Sequence, residues 1–194
     1  RLGDETVESL MVRVTREALD DARVSGADVD GIFVGLFNNG FSEQDFPSSL
    51  PFHANESLRF KPATRYENAC ATGSAAIHGA LDFIAAGRGR IALVVGAEKM
   101  TALNTAAVTE ALATAADVPF EIPAGFTFPG FYAAMASAYM AQYGMKSEHL
   151  MNVAIKNHDN AALNPNAQFG VTIQTWMEGR VAAALKKGKP APTW

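Results

Sequence analysis

The sequence is poor in the features that mark several classes of protein. It holds one cysteine, Cys70, in 194 residues, so an intramolecular disulfide and a zinc site with several cysteines are excluded. No apolar run approaches the ~20 residues that cross a bilayer, and a net charge of −4 argues against nucleic acid or an anionic membrane as partner. We therefore expect a cytoplasmic protein with no nucleic-acid or membrane partner.

What is present is the alternation of helical and strand-like segments. Apolar residues recur with helical spacing in one group of segments, and short continuous apolar runs predict buried strands in another. The predicted helices are 6–23, 71–87, 102–116, 129–143 and 147–157, and the predicted strands are 31–37 and 90–98. This order predicts an α/β architecture. Residues 38–62 lack periodicity and predict a long loop, which we expect to contact a second subunit.

The stretch YENACATGSAA, residues 66–76, places Cys70 between an extended segment and a helix. From Ala71 to Ala86 the only formal charge is Asp82, which predicts a helix packed on more than one side. At a helix start, unpaired N–H groups and the helix dipole favour thiolate, the nucleophilic form of cysteine. A buried structural thiol remains the alternative.

Two longer stretches carry a family resemblance. YENACATGSAAIHGALDFIAAGRGRIALVVGAEKM and FYAAMASAYMAQYGMKSEHLMNVAIKNHDNAALNPNAQF resemble the N-terminal half of the thiolase superfamily, in particular the acetyl-CoA acetyltransferases and the sterol-carrier-protein type. The resemblance implies one half of a layered α-β-α-β-α fold, with a mixed sheet and a buried helix after the nucleophile. It assigns 1–170 to the thiolase-like domain, with 102–170 including the loop-domain region, and leaves 171–194 as a divergent basic tail holding a short helix at best.

The resemblance also implies a chemistry. Cys70 would accept an acyl group from a coenzyme A thioester, in thiolysis of a 3-ketoacyl-CoA or in Claisen condensation, as in fatty-acid and lipid metabolism. Coenzyme A would be a substrate, and no cofactor or metal would be bound permanently. Asn68 and Gly73 would shape the turn and its oxyanion site. Substrate contacts are expected from Asn157, His158 and Phe128.

The resemblance implies partners as well. Thiolases are dimers or tetramers, so a homo-oligomer that binds acyl-CoA is expected. The family also needs a second half that supplies a Gly-His-Pro histidine and another cysteine, and this sequence contains neither. We therefore expect a complementary C-terminal thiolase chain as a possible partner, and we expect the chain to be incomplete on its own.

Two alternative functions stay open: a condensing enzyme of the ketoacyl-synthase kind, and an inactive truncated thiolase that only pairs with a partner. A hydrolase built on Cys70, His158 and Asp159 is disfavoured, because adjacent residues do not orient one another as a triad requires. We expect His78 to be a hydrogen-bonded core residue. Glu67 matters because a buried carboxylate near Cys70 would oppose thiolate formation. Other open assignments are coenzyme A phosphate contacts by Lys156, Lys186, Lys187 and Lys189, and acyl contacts by Phe126 and Phe131.

Overall fold

The computed structural model describes residues 3–38, 40–42 and 44–192. Residues 39 and 43 of the predicted loop, and the ends of the chain, lie outside this set. The chain divides into two compact units, Leu2–Phe128 and Pro129–Trp194. Each unit is described by itself, and the boundary expected at residue 170 stays a prediction.

The first unit begins with α1, Val7–Ala22. Its first turn is closed by a capping box, in which the Thr6 hydroxyl accepts from the Ser9 N–H at 3.0 Å and the Ser9 hydroxyl accepts from the Thr6 N–H at 2.8 Å. Such reciprocal bonds satisfy donors that a helix start otherwise leaves unpaired. The helix ends where Arg23 adopts the left-handed conformation. The predicted bounds, 6–23, are confirmed to within one residue.

A small parallel sheet forms the centre of this unit. Its strands are β1, Gly31–Gly35, β2, Ala63–Tyr66, and β3, Ala92–Gly96, in the order β2-β1-β3. The family resemblance implies a mixed sheet, whereas both pairings among the described strands are parallel. All five residues of the central strand are buried, as expected for a strand covered on both faces.

The two faces of the sheet carry separate cores. On one face, Ile32 and Val34 of β1 pack in a cluster with Met11 of α1 and with Leu50 and Leu58 of the segment after β1. On the other face, Phe33 packs with Ala76, Ala80 and Phe83 of helix α2, Thr72–Ala85. The Phe33 and Phe83 rings meet edge to face, with centroids 5.4 Å apart, an arrangement that aromatic pairs prefer. Together these contacts make a layered α/β unit.

The helix after Cys70 departs from its prediction in one respect. It buries a single face, while Ile77 and Leu81 on the other face are 51% and 58% exposed. The expectation of a helix packed on more than one side is wrong for this chain, because within the described residues only the sheet packs against it. His78 lies on the same open face and is exposed, so its prediction as a core residue is also wrong.

The segment after β1 is more ordered than a loop. It contains two 3₁₀ helices, Pro47–His53 and Glu56–Leu58. Leu50, Pro51 and Leu58 are buried there, so the segment contributes to the first core. The expected contact with a second subunit stays a prediction.

The remaining helices are α3, Thr105–Ala113, α4, Phe128–Tyr143, α5, Ser147–Ala161, and α6, Ile173–Lys186. Of the three with predicted bounds, the first is shorter at both ends, the second begins one residue earlier, and the third is longer at its C-terminal end. Helix α5 runs beyond the predicted end at 157, because the backbone stays helical up to a cap at Ala162, whose N–H donates to the carbonyls of His158 and Asn160. Helix α6 replaces the short helix expected in the tail, and Thr172 caps it by accepting from the Thr175 N–H at 3.2 Å.

Candidate active site

The three strands of the first unit end at one edge of the sheet. Because the strands are parallel, the segments that follow them gather there, and open α/β sheets bind their ligands at this edge. The segments include Phe37 and Asn38 after β1, Glu67 to Cys70 after β2, and Glu98 after β3. The candidate site is therefore built by residues far apart in sequence.

Cys70 lies in a 3₁₀ turn, Ala69–Ala71, directly before α2. Its side chain is a free thiol and is exposed. The alternative of a buried structural thiol is therefore wrong for this chain. The sulfur is reachable at a strand-to-helix turn, where a nucleophile can meet a substrate.

The turn is strained at the residue before the cysteine. Ala69 has φ +45°, a left-handed conformation that costs a residue with a Cβ about 1–2 kcal/mol. Strain of this kind persists where surrounding contacts fix the backbone, and it clusters at functional sites. The conformation sets the direction in which the chain enters the Cys70 turn.

Thr72 and Glu67 hold this conformation. The Thr72 hydroxyl accepts from the Asn68 N–H at 2.9 Å and donates to the Ala69 carbonyl at 2.6 Å. The Glu67 carboxylate accepts from the Ala69 N–H at 2.6 Å. The Thr72 side chain is buried, whereas Glu67 is exposed, so the condition under which Glu67 would oppose thiolate formation is not met.

The two residues proposed to shape the turn differ in what they do. Asn68 contributes through its backbone, since its N–H bonds Thr72 and its carbonyl accepts from the Ala71 N–H at 2.9 Å. Its side chain makes no capping bond. At Gly73, an added Cβ would meet nothing within 4 Å. The Gly73 backbone does lie close to β1, since a Cβ on Gly35 would be 3.7 Å from the Gly73 Cα, and the role of Gly73 in shaping the turn stays a prediction.

Sequence reasoning missed Thr72, Arg65 and Glu98. Thr72 had a local signal, because a hydroxyl residue at the first position of a helix commonly bonds the preceding backbone. Arg65 and Glu98 had no local sequence signal. Their partner is the Phe37 segment, which the fold brings to the same edge of the sheet.

A cavity of about 330 Å³ opens beside the turn. Its walls come from the segments that follow β1 and β2, from β2 itself and from the end of α3, namely Phe37, Asn38, Arg65, Glu67, Thr114 and Ala115. Asn38 fixes one wall, since its amide donates to the Ala111 carbonyl at 3.1 Å and to the Thr114 hydroxyl at 3.2 Å. The lining is thus polar and charged.

The proposed substrate-binding residues lie elsewhere in the chain. Asn157 and His158 are on α5 in the second unit, and Phe128 is the first residue of α4. The His158 ring nitrogen Nδ1 is 2.9 Å from the Ala154 carbonyl, and the ring packs on Phe169 with centroids 5.6 Å apart. This partner differs from the Asp159 carboxylate that a hydrolase triad would require.

The other candidates are on surfaces of the units that contain them. Phe126 and Phe131 are 43% and 40% exposed, so neither is a core residue. Phe128 is half-buried, and the four candidate lysines are exposed. In the described residues no cluster of three or more potential metal ligands occurs, and no helix there has both the length and the apolar character to cross a bilayer.

The fold and the turn define an α/β domain that presents a cysteine at the end of a parallel strand. The chain belongs to the thiolase family: the model of the thiolase N-terminal domain matches residues 1–180. The resemblance inferred from the sequence is confirmed, and with it the fold class.

Individual relatives agree with this assignment. The chain is 39% identical to the acetyl-CoA acetyltransferase of Methanothermobacter thermautotrophicus over 94% of its own length and 48% of the relative's. It is 37% identical to the acetyl-CoA acetyltransferase of Methanocaldococcus jannaschii, over 87% of its own length and 42% of the relative's. Human sterol carrier protein 2 is 27% identical to the chain, over 79% of the chain's length and 29% of its own. The chain thus spans about half the length, or less, of the curated relatives that it matches.

Proposed function

We propose that this chain is the acyl-accepting half of a thiolase-type acyltransferase, with Cys70 as the nucleophile and a coenzyme A thioester as the substrate. One observation carries the proposal. The chain's only cysteine is exposed in a strained turn between a strand and a helix, at the edge of the sheet where α/β proteins bind ligands.

The chemistry follows from the exposed sulfur. The Cys70 thiolate attacks the carbonyl carbon of the thioester, and a tetrahedral oxyanion forms. Its collapse breaks the bond to the coenzyme A sulfur, which leaves as a thiolate and takes up a proton. One thioester is exchanged for another, so acyl-Cys70 forms at little thermodynamic cost. The acyl group then passes to coenzyme A in thiolysis or to a carbon nucleophile in condensation.

The backbone of the turn supports stabilisation of the oxyanion. The N–H groups of Asn68, Ala69 and Ala71 are held by other partners. Among the hydrogen bonds of the residues that the structure describes, none uses the Cys70 N–H. That donor remains available at the sulfur's own residue, and preorganised donors of this kind stabilise developing charge.

A partner is part of the proposal. By family resemblance, the histidine and the second cysteine come from a second half, and the exposed apolar residues of α2, Ile77 and Leu81, are suited to being covered by it. We propose that the active protein combines this chain with a complementary C-terminal half, forms a dimer or tetramer, and acts in the cytoplasm. Asn157, His158 and Phe128 are proposed to contact the acyl-CoA in that assembly.

The test is formation of the acyl-enzyme. The native chain is incubated with acetyl-CoA, alone and with the second half of the Methanothermobacter relative, and peptide mass spectrometry locates the adduct. We expect an acetyl group on Cys70 and none on the Cys70→Ala variant. Iodoacetamide labelling of native Cys70 controls for access to the thiol.

Three outcomes would count against the proposal. An equal adduct on Cys70→Ala would show that another group is acylated. Acylation from an acyl carrier protein but not from acetyl-CoA would favour the ketoacyl-synthase alternative. A native chain that labels with iodoacetamide, binds the second half and still forms no adduct would favour the non-catalytic alternative.

A further inference from the structure

Residues from three neighbouring strands meet just beyond the edge of the sheet that carries Cys70. The Arg65 guanidinium, on β2, donates from Nη2 to the carbonyls of Leu36 and Phe37 at 3.4 and 3.3 Å. The Glu98 carboxylate, after β3, accepts from the Phe37 N–H at 2.9 Å through Oε2. The end of β1 is therefore held from both sides, by a cation on one and an anion on the other.

Glu98 occupies an unfavourable position for a charged group. It is half-buried, and its Oε1 is buried with no hydrogen-bond partner in the part of the chain that the structure describes. Burial raises the pKa of Glu98, and the Phe37 N–H and the charge of Arg65 only partly oppose that shift. Ionised Glu98 therefore lowers the free energy of unfolding relative to a neutral group of the same shape.

A residue that reduces stability in this way needs another reason to be there. The contacts lead from Glu98 to Cys70 in short steps. Arg65 lies in the strand that ends at Tyr66, and the Leu36 N–H bonds the Tyr66 carbonyl at 3.3 Å. The next residue, Glu67, holds the Ala69 N–H in the Cys70 turn.

We infer that Glu98 and Arg65 are positioning residues for Cys70, which fix the end of β2 and the strained turn that follows it. The importance of this positioning for acylation of Cys70 rests on the proposed function. The claim that the two residues fix the turn does not. In the part of the chain that the structure describes, neither residue makes a hydrogen bond to the cysteine. They act through the peptide at Leu36 and Phe37 and through the pairing of β1 with β2.

The direction in which pH changes the stability contribution of Glu98 follows from the groups around it. Among the described residues, the charge that acts on Glu98 comes from Arg65 on β2. The next residue, Lys99, directs its ammonium group to the carbonyls of Gly3 and Glu5. Because the folded pKa is raised, the contribution of Glu98 to stability is greatest below the ordinary glutamate pKa, and it is lost as the pH rises through the raised pKa.

The test uses Glu98→Gln, which keeps an acceptor for the Phe37 N–H and removes the charge. Glu110→Gln, at an exposed site on α3, is the matched control. Urea unfolding at pH 7 measures global stability, and amide hydrogen exchange of a peptide covering residues 64–73 measures the turn. We expect Glu98→Gln to be at least as stable as the native chain, while exchange in the turn rises roughly two- to tenfold, as for the loss of one charge-assisted hydrogen bond.

A positioning role predicts that global stability is kept while amide exchange in the turn becomes faster. A merely structural role would change both measurements in the same sense. Unchanged exchange in the turn would overturn the inference. So would a loss of stability accompanied by faster exchange throughout the first unit. Arg65→Lys, which keeps the charge but not the planar guanidinium, is the second variant. We expect it to loosen the same peptide, and a turn as protected as in the native chain would remove Arg65 from the inference.

Acylation by acetyl-CoA is measured in the same variants. If native Cys70 is acylated, Glu98→Gln should slow that step more than it slows iodoacetamide labelling, because acyl transfer depends on the geometry of the turn. If native Cys70 is not acylated at all, the proposed function fails, and amide exchange still decides whether Glu98 positions the turn.

Discussion

Thr72 offers the sharpest test of how the Cys70 turn is built. Its hydroxyl makes two hydrogen bonds, one from the Asn68 N–H and one to the Ala69 carbonyl, and its side chain is 8% exposed. Thr72→Val keeps the shape of the side chain and removes both bonds. Each bond contributes about 0.5–1.5 kcal/mol net, and the groups left without a partner add a desolvation cost. We expect the free energy of unfolding to fall by about 1–3 kcal/mol.

The matched control is Thr72→Ser, which keeps the hydroxyl and deletes the methyl group. That methyl faces β1, where a Cβ on Gly35 would lie 3.3 Å from it, so its loss should cost about 0.8 kcal/mol. Urea unfolding followed by far-UV circular dichroism measures both variants. With a slope near 2 kcal/mol/M, Thr72→Val should move the midpoint down by about 0.5–1.5 M.

Two results would refute this reasoning. A Thr72→Val variant within about 0.5 kcal/mol of the native chain would mean that the hydroxyl bonds contribute nothing net. A Thr72→Ser variant that loses as much as Thr72→Val would assign the effect to packing of the methyl group instead.

Two further predictions concern an acidic residue ahead of β3 and two glycines of α2. The Asp30 carboxylate accepts two backbone N–H groups ahead of β3 at 2.7 and 3.1 Å, and these bonds lower the pKa of Asp30. The stability it contributes is therefore lost as the pH falls through the lowered pKa, and acid unfolding of Asp30→Asn should lack that component. Alanine substitutions at two glycines of α2 should change the free energy of unfolding in opposite directions, as measured by thermal unfolding. Gly73→Ala places its methyl group in open space and should raise that free energy by up to about 1 kcal/mol. Gly79→Ala would overlap the Tyr66 ring and should lower it by about 1–3 kcal/mol.

Much of the first unit could be predicted from the sequence. The helical spacing of residues 6–23 and the apolar runs around Val34 and Val95 have local causes, and these elements formed where predicted. The position of Cys70 before a helix is equally local. Prediction of the family depended on the motifs around that cysteine, which are specific.

The rest depends on contacts that no local pattern reveals. Ala69 adopts the left-handed conformation although alanine carries no preference for it, since the strain is held by Glu67 and Thr72. Glu98 and Phe37 are 61 residues apart in sequence. The open face of α2 could not be anticipated either. Its apolar composition shows that the helix can be buried on several sides, but it does not show which packing partners the chain provides.

The half-covered helix α2 also has a consequence for how the protein matures. Among the residues that the structure describes, the hydrogen bonds that hold the cysteine turn come from the part of the chain between Leu36 and Glu98, so the turn can form while the outer side of the helix is still bare. Folding of the cysteine turn and burial of that side of the helix are thus separable events in biogenesis. A chaperone that shields Ile77 and Leu81 would not need to touch Cys70.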